Sequence, residues 1–363
     1  MRKEFCEALA KAQKNHDLSR EEIIVLLEAE GEELEALGRA ADEVREKYLG
    51  REVHLRGIIE FSNHCRQNCL YCGLRRDNKH LRRYRMSPEE ILAAARKAVE
   101  LGLPTVVLQS GEDPYYSAPV VAEIIRRLKE EVGVKAITLS LGERSREDYR
   151  LWRQAGADRY LLKHETANRE LFACLRPGTS WENRLRCLLW LKELGYQVGS
   201  GNMVGLPGQD LETLAEDILL LKELDVEMAG IGPFIPHPQT PLAGEAGGSL
   251  DLTLKTLAVT RLLLPLAHLP ATTALGTIHP QGRRLGLCYG GNVIMPDITP
   301  LPYRRHYQIY PGKAGVDQEI ETNVASIRDL IASLGRSIGR GPGHSPKWRG
   351  GVELYEMRAG QLY

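Results

Sequence analysis

Short apolar runs alternate with longer amphipathic segments along most of this chain, beginning near residue 53. Each run is rich in β-branched or apolar residues and is followed by Gly, Pro, Ser or Asp, a pattern typical of repeated βα units. Eight runs predict strands: Val53–Glu60, Thr105–Gln109, Ala136–Leu141, Arg159–His164, Gln197–Val204, Met228–Phe234, Leu269–Leu275 and Asn292–Met295. Eight such units in about 250 residues favour an α/β fold, a closed (β/α)8 TIM-type barrel, over the alternative of an open doubly wound sheet.

Helical segments are predicted on both sides of these units. Ser19 and Glu22 have the spacing of a capping box, and Ser87 followed by Pro88 predicts a second helix start. We expect residues 1–50 to form an N-terminal helical cap, residues 51–312 the barrel, and residues 313–363 a C-terminal helix and a mobile tail. The tail, GRSIGRGPGHSPKWRGG, is rich in Gly, Pro and Arg and is expected to contribute little to the core.

Charge and composition exclude several classes of protein. The 363 residues include 48 Lys+Arg and 48 Asp+Glu, whereas a protein that coats nucleic acid or an anionic membrane needs a basic excess. No apolar run approaches the ~18 residues of a membrane span, and the N-terminus has no apolar signal region. Seven cysteines are an odd and sparse set, unlike a secreted disulfide framework. We therefore expect a cytoplasmic protein with neither nucleic acid nor membrane as a partner.

Three of the seven cysteines, Cys65, Cys69 and Cys72, have the spacing C-x3-C-x2-C directly after the first predicted strand. The carboxyl end of a barrel strand is where such folds place their chemistry. Three thiolates on one loop can hold a [4Fe–4S] cluster with one iron left free for a small molecule, and the spacing favours this interpretation. The alternative is a structural zinc site with His64 or His80 as the fourth ligand, in a non-catalytic zinc-binding or nucleic-acid-binding module.

With Tyr71 before the last cysteine, the motif becomes C-x3-C-x-aromatic-C and resembles the signature of radical S-adenosylmethionine (radical SAM) enzymes. Two further blocks are similar to elements of that superfamily: Ser110-Gly111-Glu112-Asp113 after the second strand, and the turn at 203–208, MVGLPG. The resemblance implies a [4Fe–4S] cluster whose open iron is chelated by SAM. It also implies reductive cleavage of SAM to methionine and a 5′-deoxyadenosyl radical.

Many separated blocks between residues 20 and 335 resemble, more closely, the HydE family of [FeFe]-hydrogenase maturases. They include LQSGEDPYY, RYLLKHETAN, IGPFIPHPQTPLA and YQIYPGK. The resemblance implies that Glu165 and Arg184 bind SAM as an acid and a base. The full set of implied SAM contacts is Tyr71, Gly111, Glu112, Ser140, Glu143, Glu165, Arg184 and Met203. The implied substrate contacts are Lys163, Met228, Thr272, Thr273, Met295 and Tyr310.

Two of the implied substrate contacts differ from the simplest expectation, one in residue type at position 163 and one in the direction of the adjacent Thr272 and Thr273. An Arg is more usual in the family at the position of Lys163. Adjacent residues of a regular strand face opposite ways, so Thr272 and Thr273 can both reach a ligand only at a bend or at the end of a strand.

The same resemblance implies the reaction and its partners. The substrate would be an organometallic small molecule, a cysteine-bound Fe(CO)2CN precursor made by a partner maturase for the diiron subcluster. An electron donor and contact with other hydrogenase maturases are also implied. Methylornithine-synthase-like and biotin-synthase-like radical SAM enzymes remain alternatives. HydE proteins often carry an auxiliary cluster near the C-terminus, but the corresponding positions here are Gly315, Asn323 and Ser326, so no auxiliary cluster is expected.

A basic run surrounds the cysteines and consists of Arg66, Arg75, Arg76, Lys79, His80, Arg82, Arg83 and Arg85. With one nearby aromatic residue, Tyr84, it is a weak nucleic-acid patch. We interpret it as a solvated face, with a docking surface for an electron donor or partner maturase as the alternative.

Overall fold

The chain folds around parallel β-structure with helices on its outer side. The computed structural model describes residues 1–348. Its strands are β1 (Glu52–Leu55), β2 (Gly57–Ser62), β3 (Thr105–Ser110), β4 (Ala136–Ser140), β5 (Arg159–Leu161), β6 (Gln197–Ser200), β7 (Met203–Val204), β8 (Met228–Ala229), β9 (Gly232–Pro233), β10 (Val293–Ile294) and β11 (Ser337–Ile338). Six of them form one parallel sheet in the order β2-β3-β4-β5-β6-β8.

Two smaller parallel sheets accompany this sheet. Strand β1 pairs in parallel with β10 and β11, and β7 pairs with β9. Isolated parallel bridges join Met228 to His268, Pro270 to Val293, and Ile58 to Asp297. Parallel pairing therefore continues from β8 through residues 268–270 and 293–297 back towards β2.

The helices lie between and around the strands. They are α1 (Lys3–Asn15), α2 (Arg20–Leu27), α3 (Glu32–Leu49), α4 (Pro88–Glu100), α5 (Ala118–Glu130), α6 (Arg146–Gln154), α7 (Arg169–Leu175), α8 (Trp181–Glu193), α9 (Leu211–Glu223), α10 (Leu250–Leu263), α11 (Thr273–Ile278), α12 (Gly282–Cys288), α13 (Leu301–Arg304) and α14 (Ile320–Ser333). The predicted capping boxes at Ser19 with Glu22 and at Ser87 with Glu90 are present. A third, which the spacing of Thr179 and Glu182 predicts, is wrong, because Ser180 is the N-cap residue of α8 and accepts from the Asn183 N–H. No helix within residues 1–348 is long and apolar enough to cross a bilayer.

One predicted strand, Leu269–Leu275, is wrong over its second half. After the bridge at Pro270 the chain turns, and α11 begins at Thr273. The Thr272 hydroxyl accepts a hydrogen bond from the Leu275 backbone N–H at 3.4 Å, so Thr272 is the N-cap residue. A side chain that satisfies a free helix N–H competes with strand pairing, and here it stops the strand.

Two hydrophobic cores hold the layers together. The larger core fills the space between the sheet and the helices that follow β2, β3 and β4. The second joins the N-terminal helices to α9 and α10, with Phe5, Leu26 and Leu37 in the same cluster as Leu214 and Leu257. Residues 1–50 are helical, and they share this core with two helices from the second half of the chain.

Residues 336–348, which we call the C-terminal strap, run along the amino-terminal ends of the strands. Within the strap, the backbone carbonyl of Gly343 accepts hydrogen bonds from Arg56 at 3.3 Å and from Arg159 at 2.9 Å. The buried Ser345 binds the side chain of Gln197 through its backbone N–H at 2.8 Å. The expectation of a tail that contributes little to the core is therefore wrong for residues 336–348, because buried guanidinium and amide groups need these backbone partners. Residues 349–363 lie outside the described part of the chain.

We predict that Gln197→Leu lowers the free energy of unfolding by about 1–3 kcal/mol, because it leaves the buried Ser345 N–H without an acceptor. Urea denaturation of the apoprotein measures the effect. The exposed Gln154→Leu is the matched control and should change the free energy little. Equal effects of the two substitutions would contradict a stabilising role for the strap.

Candidate active site

The three cysteines lie on the long loop between β2 and α4. Cys69 is buried, and Cys65 and Cys72 are partly buried. The guanidinium of Arg83 holds this loop closed by donating to the backbone carbonyls of Leu74 at 3.0 Å and Arg75 at 2.8 Å, and to those of Asn63 and Asn78. Arg83 therefore points into the loop, unlike the fully solvated face that we expected from the basic run.

Burial makes ionisation of the Cys65 and Cys72 thiols costly. It raises the pKa of Cys65 to about 11 and also raises the pKa of Cys72, where the negative charges of Cys69 and Cys65 add to the effect. Metal ligation requires thiolates, so this donor set needs a cationic centre beside it. The three cysteines thus fit an iron–sulfur cluster by their chemistry.

The arrangement of the three cysteines favours a cluster over a single ion. No three His, Cys, Asp or Glu side chains in residues 1–348 are grouped closely enough to hold one metal ion. In a four-iron cluster each cysteine binds its own iron, so the sulfurs need not meet at one point. His80, one of the two fourth ligands considered for zinc, is exposed.

The end of β3 presses against the cysteine loop. The Gly111 N–H donates to the Ser62 carbonyl at 3.1 Å, and a Cβ at Gly111 would collide with the His64 carbonyl. The Glu112 carboxylate accepts hydrogen bonds from Gln67 at 2.6 Å, from Arg66 at 3.2 Å and from the Glu143 backbone N–H at 3.1 Å. Glu112 thus braces the loop against the end of β4, and its contact with SAM stays a prediction.

Arg184 and Glu143 form a buried ion pair, with Arg184 Nε 2.7 Å from Glu143 Oε1. The same guanidinium donates to the Lys163 carbonyl at 2.7 Å, which links α8 to the segment after β5. In the protein alone, the partner of Arg184 is therefore Glu143 and not Glu165. Ser140 lies at the end of β4 and is partly buried.

Glu165 has a left-handed backbone, with φ of 70°. A non-glycine residue in this region is strained, and such strain is concentrated at functional sites. The backbone is held by hydrogen bonds with Gly201 and Met203, and the nearest cation to the Glu165 carboxylate is Lys163 Nζ at 3.7 Å. The strain aims a carboxylate into the cavity.

A cavity of about 330 Å³ lies beside the cysteine loop and is lined by residues from several of the parallel strands. All six of the residues expected to contact substrate line it, namely Lys163, Met228, Thr272, Thr273, Met295 and Tyr310. Tyr71, Glu165 and Met203 also line it, together with Cys72. Gly111, Glu112, Ser140, Glu143 and Arg184 are not in its wall. Thr272 and Thr273 both reach the cavity because the strand ends there and a helix begins.

Six charged or titratable groups in the cavity wall were not found by sequence reasoning: Arg56, Glu60, His268, Arg283, Asp297 and Lys313. Lys313 Nζ contacts Glu60 and lies 2.8 Å from Asp297 Oδ2, and all three side chains are largely buried. Burial and the charge of Asp297 raise the pKa of Glu60 to about 8. Despite its burial, Asp297 has a lowered pKa, since Lys313 lies beside it. A signal was available for Glu60, because it is the one charged residue of strand β2.

Another missed residue is Arg176, just after α7. It is 6% exposed and donates to the Tyr71 hydroxyl at 2.7 Å. The Leu175 carbonyl accepts from the Leu70 N–H at 2.9 Å, so the end of α7 and the cysteine loop are bonded at two points. No motif in the sequence marks Arg176.

Comparison with known proteins agrees with this geometry. The family model of the radical SAM superfamily matches residues 59–221, which include the cysteine loop. The [FeFe] hydrogenase maturase subunit HydE of Thermotoga maritima is 58% identical over 322 residues, which cover 89% of this chain and 90% of that protein. The 3-methylornithine synthase of Methanosarcina acetivorans is 31% identical over 320 residues, 87% of this chain and 88% of that protein.

A solved structure has the same fold. The crystal structure of methylornithine synthase (PylB) matches with a TM-score of 0.82 and 29% sequence identity, covering 92% of this chain and 97% of that one. Three observations point to the same family. They are the cysteine loop at the end of a parallel sheet, the cavity beside that loop, and the 58% identity to the HydE relative over 90% of that protein. The chain belongs to the radical SAM superfamily and, within it, to the family of the [FeFe] hydrogenase maturase HydE.

Proposed function

We propose that this radical SAM enzyme acts on a cysteine-bound Fe(CO)2CN precursor during assembly of the diiron subcluster of [FeFe] hydrogenase. The observation that carries the proposal is that one cavity is lined both by Tyr71 and Cys72 of the cysteine loop and by Lys163, Thr273 and Tyr310. This places polar groups for an anionic ligand within the same enclosed space as the cysteine loop. The resemblance to a HydE protein supports the same substrate class.

In this proposal Cys65, Cys69 and Cys72 hold a [4Fe–4S] cluster, and SAM binds beside it. The bound cluster would supply the electron that cleaves SAM to methionine and a 5′-deoxyadenosyl radical. Tyr71 and Met203 pack in one small apolar cluster and would form the wall against which SAM lies. Glu165, whose backbone is strained and whose side chain lines the same cavity, would orient SAM.

Charge in the cavity wall suits an anionic iron complex. Lys163 has Glu165 at 3.7 Å as its nearest carboxylate, beyond hydrogen-bond distance, so its ammonium group can turn towards a ligand. The Nε of Arg283 is buried without a hydrogen-bond partner in residues 1–348. Thr272 and Thr273 would add hydroxyl groups at the start of α11. The apolar side chains of Met228 and Met295 would complete the pocket.

We further propose that the sheet closes into an eight-stranded (β/α)8 barrel around this cavity. The isolated bridges at Met228, Pro270 and Ile58 support closure, because they continue the parallel order between β8 and β2. Residues from β2, β3, β4, β8 and β10 all line the cavity, as expected for a closed wall.

No auxiliary cluster is proposed. Asn323 lies beside Gly315, and the Ser326 hydroxyl donates to the Asn323 carbonyl at 2.9 Å, so these three positions are neighbours. Gly, Asn and Ser supply no thiolate, which leaves an iron–sulfur cluster without its preferred ligands. The proposed partners are an electron donor and the maturase that makes the iron complex. A cytoplasmic location would keep the cysteine ligands reduced.

Cys69→Ala tests the cluster and the activity together. We expect anaerobically reconstituted wild type to hold about four irons per chain, and the variant to lose the intact cluster and all formation of 5′-deoxyadenosine. The assay contains reductant, SAM and the iron complex made by the partner maturase, and iron, sulfide and 5′-deoxyadenosine are measured. The exposed Cys174→Ala is the matched control and should keep all three.

Three results of that assay would contradict the proposal. They are one zinc without sulfide in wild type, a full cluster with no consumption of the iron complex, and turnover of lysine in place of the complex.

Lys163→Gln removes a cation from the cavity wall. We expect turnover of the iron complex to fall at least about tenfold, because an anionic ligand loses its charge partner, while the Kd of SAM changes by less than about twofold. Lys163→Arg should retain most activity. Lys135→Gln on the exposed surface is the control. Equal loss of SAM binding and turnover would show that Lys163 does not select the substrate.

The raised pKa of Glu60 predicts a pH dependence of stability. Because folded Glu60 binds its proton more tightly than the unfolded chain does, its contribution is present at low pH and is lost as pH rises from 4.5 to about 8. Glu60→Gln cannot ionise, so its free energy of unfolding should fall less across this interval. Denaturation at several pH values measures the difference, and the exposed Glu100→Gln should follow wild type. Parallel pH profiles for wild type and Glu60→Gln would refute the shift.

A further inference from the structure

Arg176 is a buried cation without an anionic partner in the described chain. It follows α7 directly, and no carboxylate oxygen in residues 1–348 forms an ion pair with it. Its NH1 group donates to the Tyr71 hydroxyl at 2.7 Å, and its guanidinium lies 5.5 Å from the centre of the Phe172 ring. Its Nε is buried and has no hydrogen-bond partner in this part of the chain.

The groups around Arg176 identify the missing partner. Burial opposes its charge, and the acidic groups around it are the Tyr71 hydroxyl, the Cys69 thiol and the Glu165 carboxylate. Of these, the phenol keeps its proton, because burial raises the pKa of Tyr71 well above its ordinary value. Among these neighbours, Glu165 lies closer to another cation, Lys163, at 3.7 Å. The backbone bond between Leu70 and Leu175 holds the guanidinium on the Cys69 side of the loop.

A buried cation is stable only where negative charge compensates it. Three thiolates outweigh the positive charge of a four-iron core, so the assembled cluster is anionic, and its reduced form carries one more negative charge. Hydrogen bonds and charges next to the sulfurs set the reduction potential of such clusters.

We propose that Arg176 is the counter-charge of the cluster on its Cys69 side. It is a positioning residue that stabilises the reduced state and, through Tyr71, fixes the aromatic side chain of the cysteine motif. This inference rests on the cluster assigned under the proposed function. It adds a residue outside the cysteine motif to the groups that control electron entry.

The test compares Arg176→Gln, Arg176→Lys and, as a matched control, Arg169→Gln at the first residue of α7, whose side chain is exposed. The reconstituted proteins are titrated by EPR-monitored reduction in the absence of SAM, after iron and sulfide have been counted. We expect Arg176→Gln to make reduction about tenfold less favourable, ~59 mV for a one-electron couple. Arg176→Lys should stay within about threefold of wild type, since it keeps the charge. Arg169→Gln should not shift the potential.

The outcomes separate this inference from its alternatives. If Arg176→Gln holds a full cluster and has the reduction potential of wild type, the inference is overturned, whatever happens to SAM binding. If SAM binding is weakened in that case, the guanidinium instead binds the carboxylate of SAM. If Arg176→Gln does not take up iron, the Lys variant decides the matter. A full cluster in Arg176→Lys supports a charge role, and the absence of a cluster in Arg176→Lys as well contradicts it. Failure of the proposed function is a different result: wild type would then lack a cluster or a SAM-dependent EPR change.

Discussion

The burial of the cysteine ligands, which disfavours the thiolate forms of Cys65 and Cys72, is the physical constraint on which the rest of the site depends. Burial disfavours the thiolates of Cys65 and Cys72, and the charge of a neighbouring thiolate adds to the effect. The protein therefore surrounds the loop with groups that hold it in place. Arg83 binds four backbone carbonyls of the loop, and Glu112 bonds both to the loop and to the end of β4. These contacts preorganise the donors before any iron is bound, so assembly of the cluster does not also have to order the loop.

The cavity follows a related rule for buried charge. Lys313 stands between Glu60 and Asp297, so one ammonium serves two carboxyl groups, and the carboxyl with the higher pKa retains its proton. At the other end of the sheet, Arg56 and Arg159 are buried, have no carboxylate partner within residues 1–348, and donate to carbonyl oxygens of the C-terminal strap. The interior thus contains polar groups whose partners come from distant parts of the chain, and this arrangement explains why the strap belongs to the folded structure.

Residue types by themselves do not define a site in this fold. His164, Ser200 and Asp217 have the composition of a hydrolytic triad, with His164 Nδ1 3.0 Å from Ser200 Oγ and Nε2 3.7 Å from Asp217. All three are fully buried and none lines the cavity. Asp217 instead accepts hydrogen bonds from Ala167 and Asn202, and so holds the turn after β5 next to Glu165. These three residues hold the turn that contains the strained backbone of Glu165, and their side chains do not line the cavity.

The sequence alone determined the local features of this protein. The periodicity of apolar residues predicted eight strands, and seven of the eight runs contain a strand in the structure. The capping boxes at Ser19 and Ser87 marked helix starts, and the spacing of Cys65, Cys69 and Cys72 indicated a cluster. These features depend on residues close together in the chain. Only tertiary structure decided that Thr272 ends a strand, that Arg184 pairs with Glu143, and that Lys313, Asp297 and Glu60 meet in one wall. Arg176 beside Tyr71 and the ordered strap belong to the same group. Their partners lie far apart in sequence, and the free energy of burying a charge or a backbone amide depends on what the fold brings next to it.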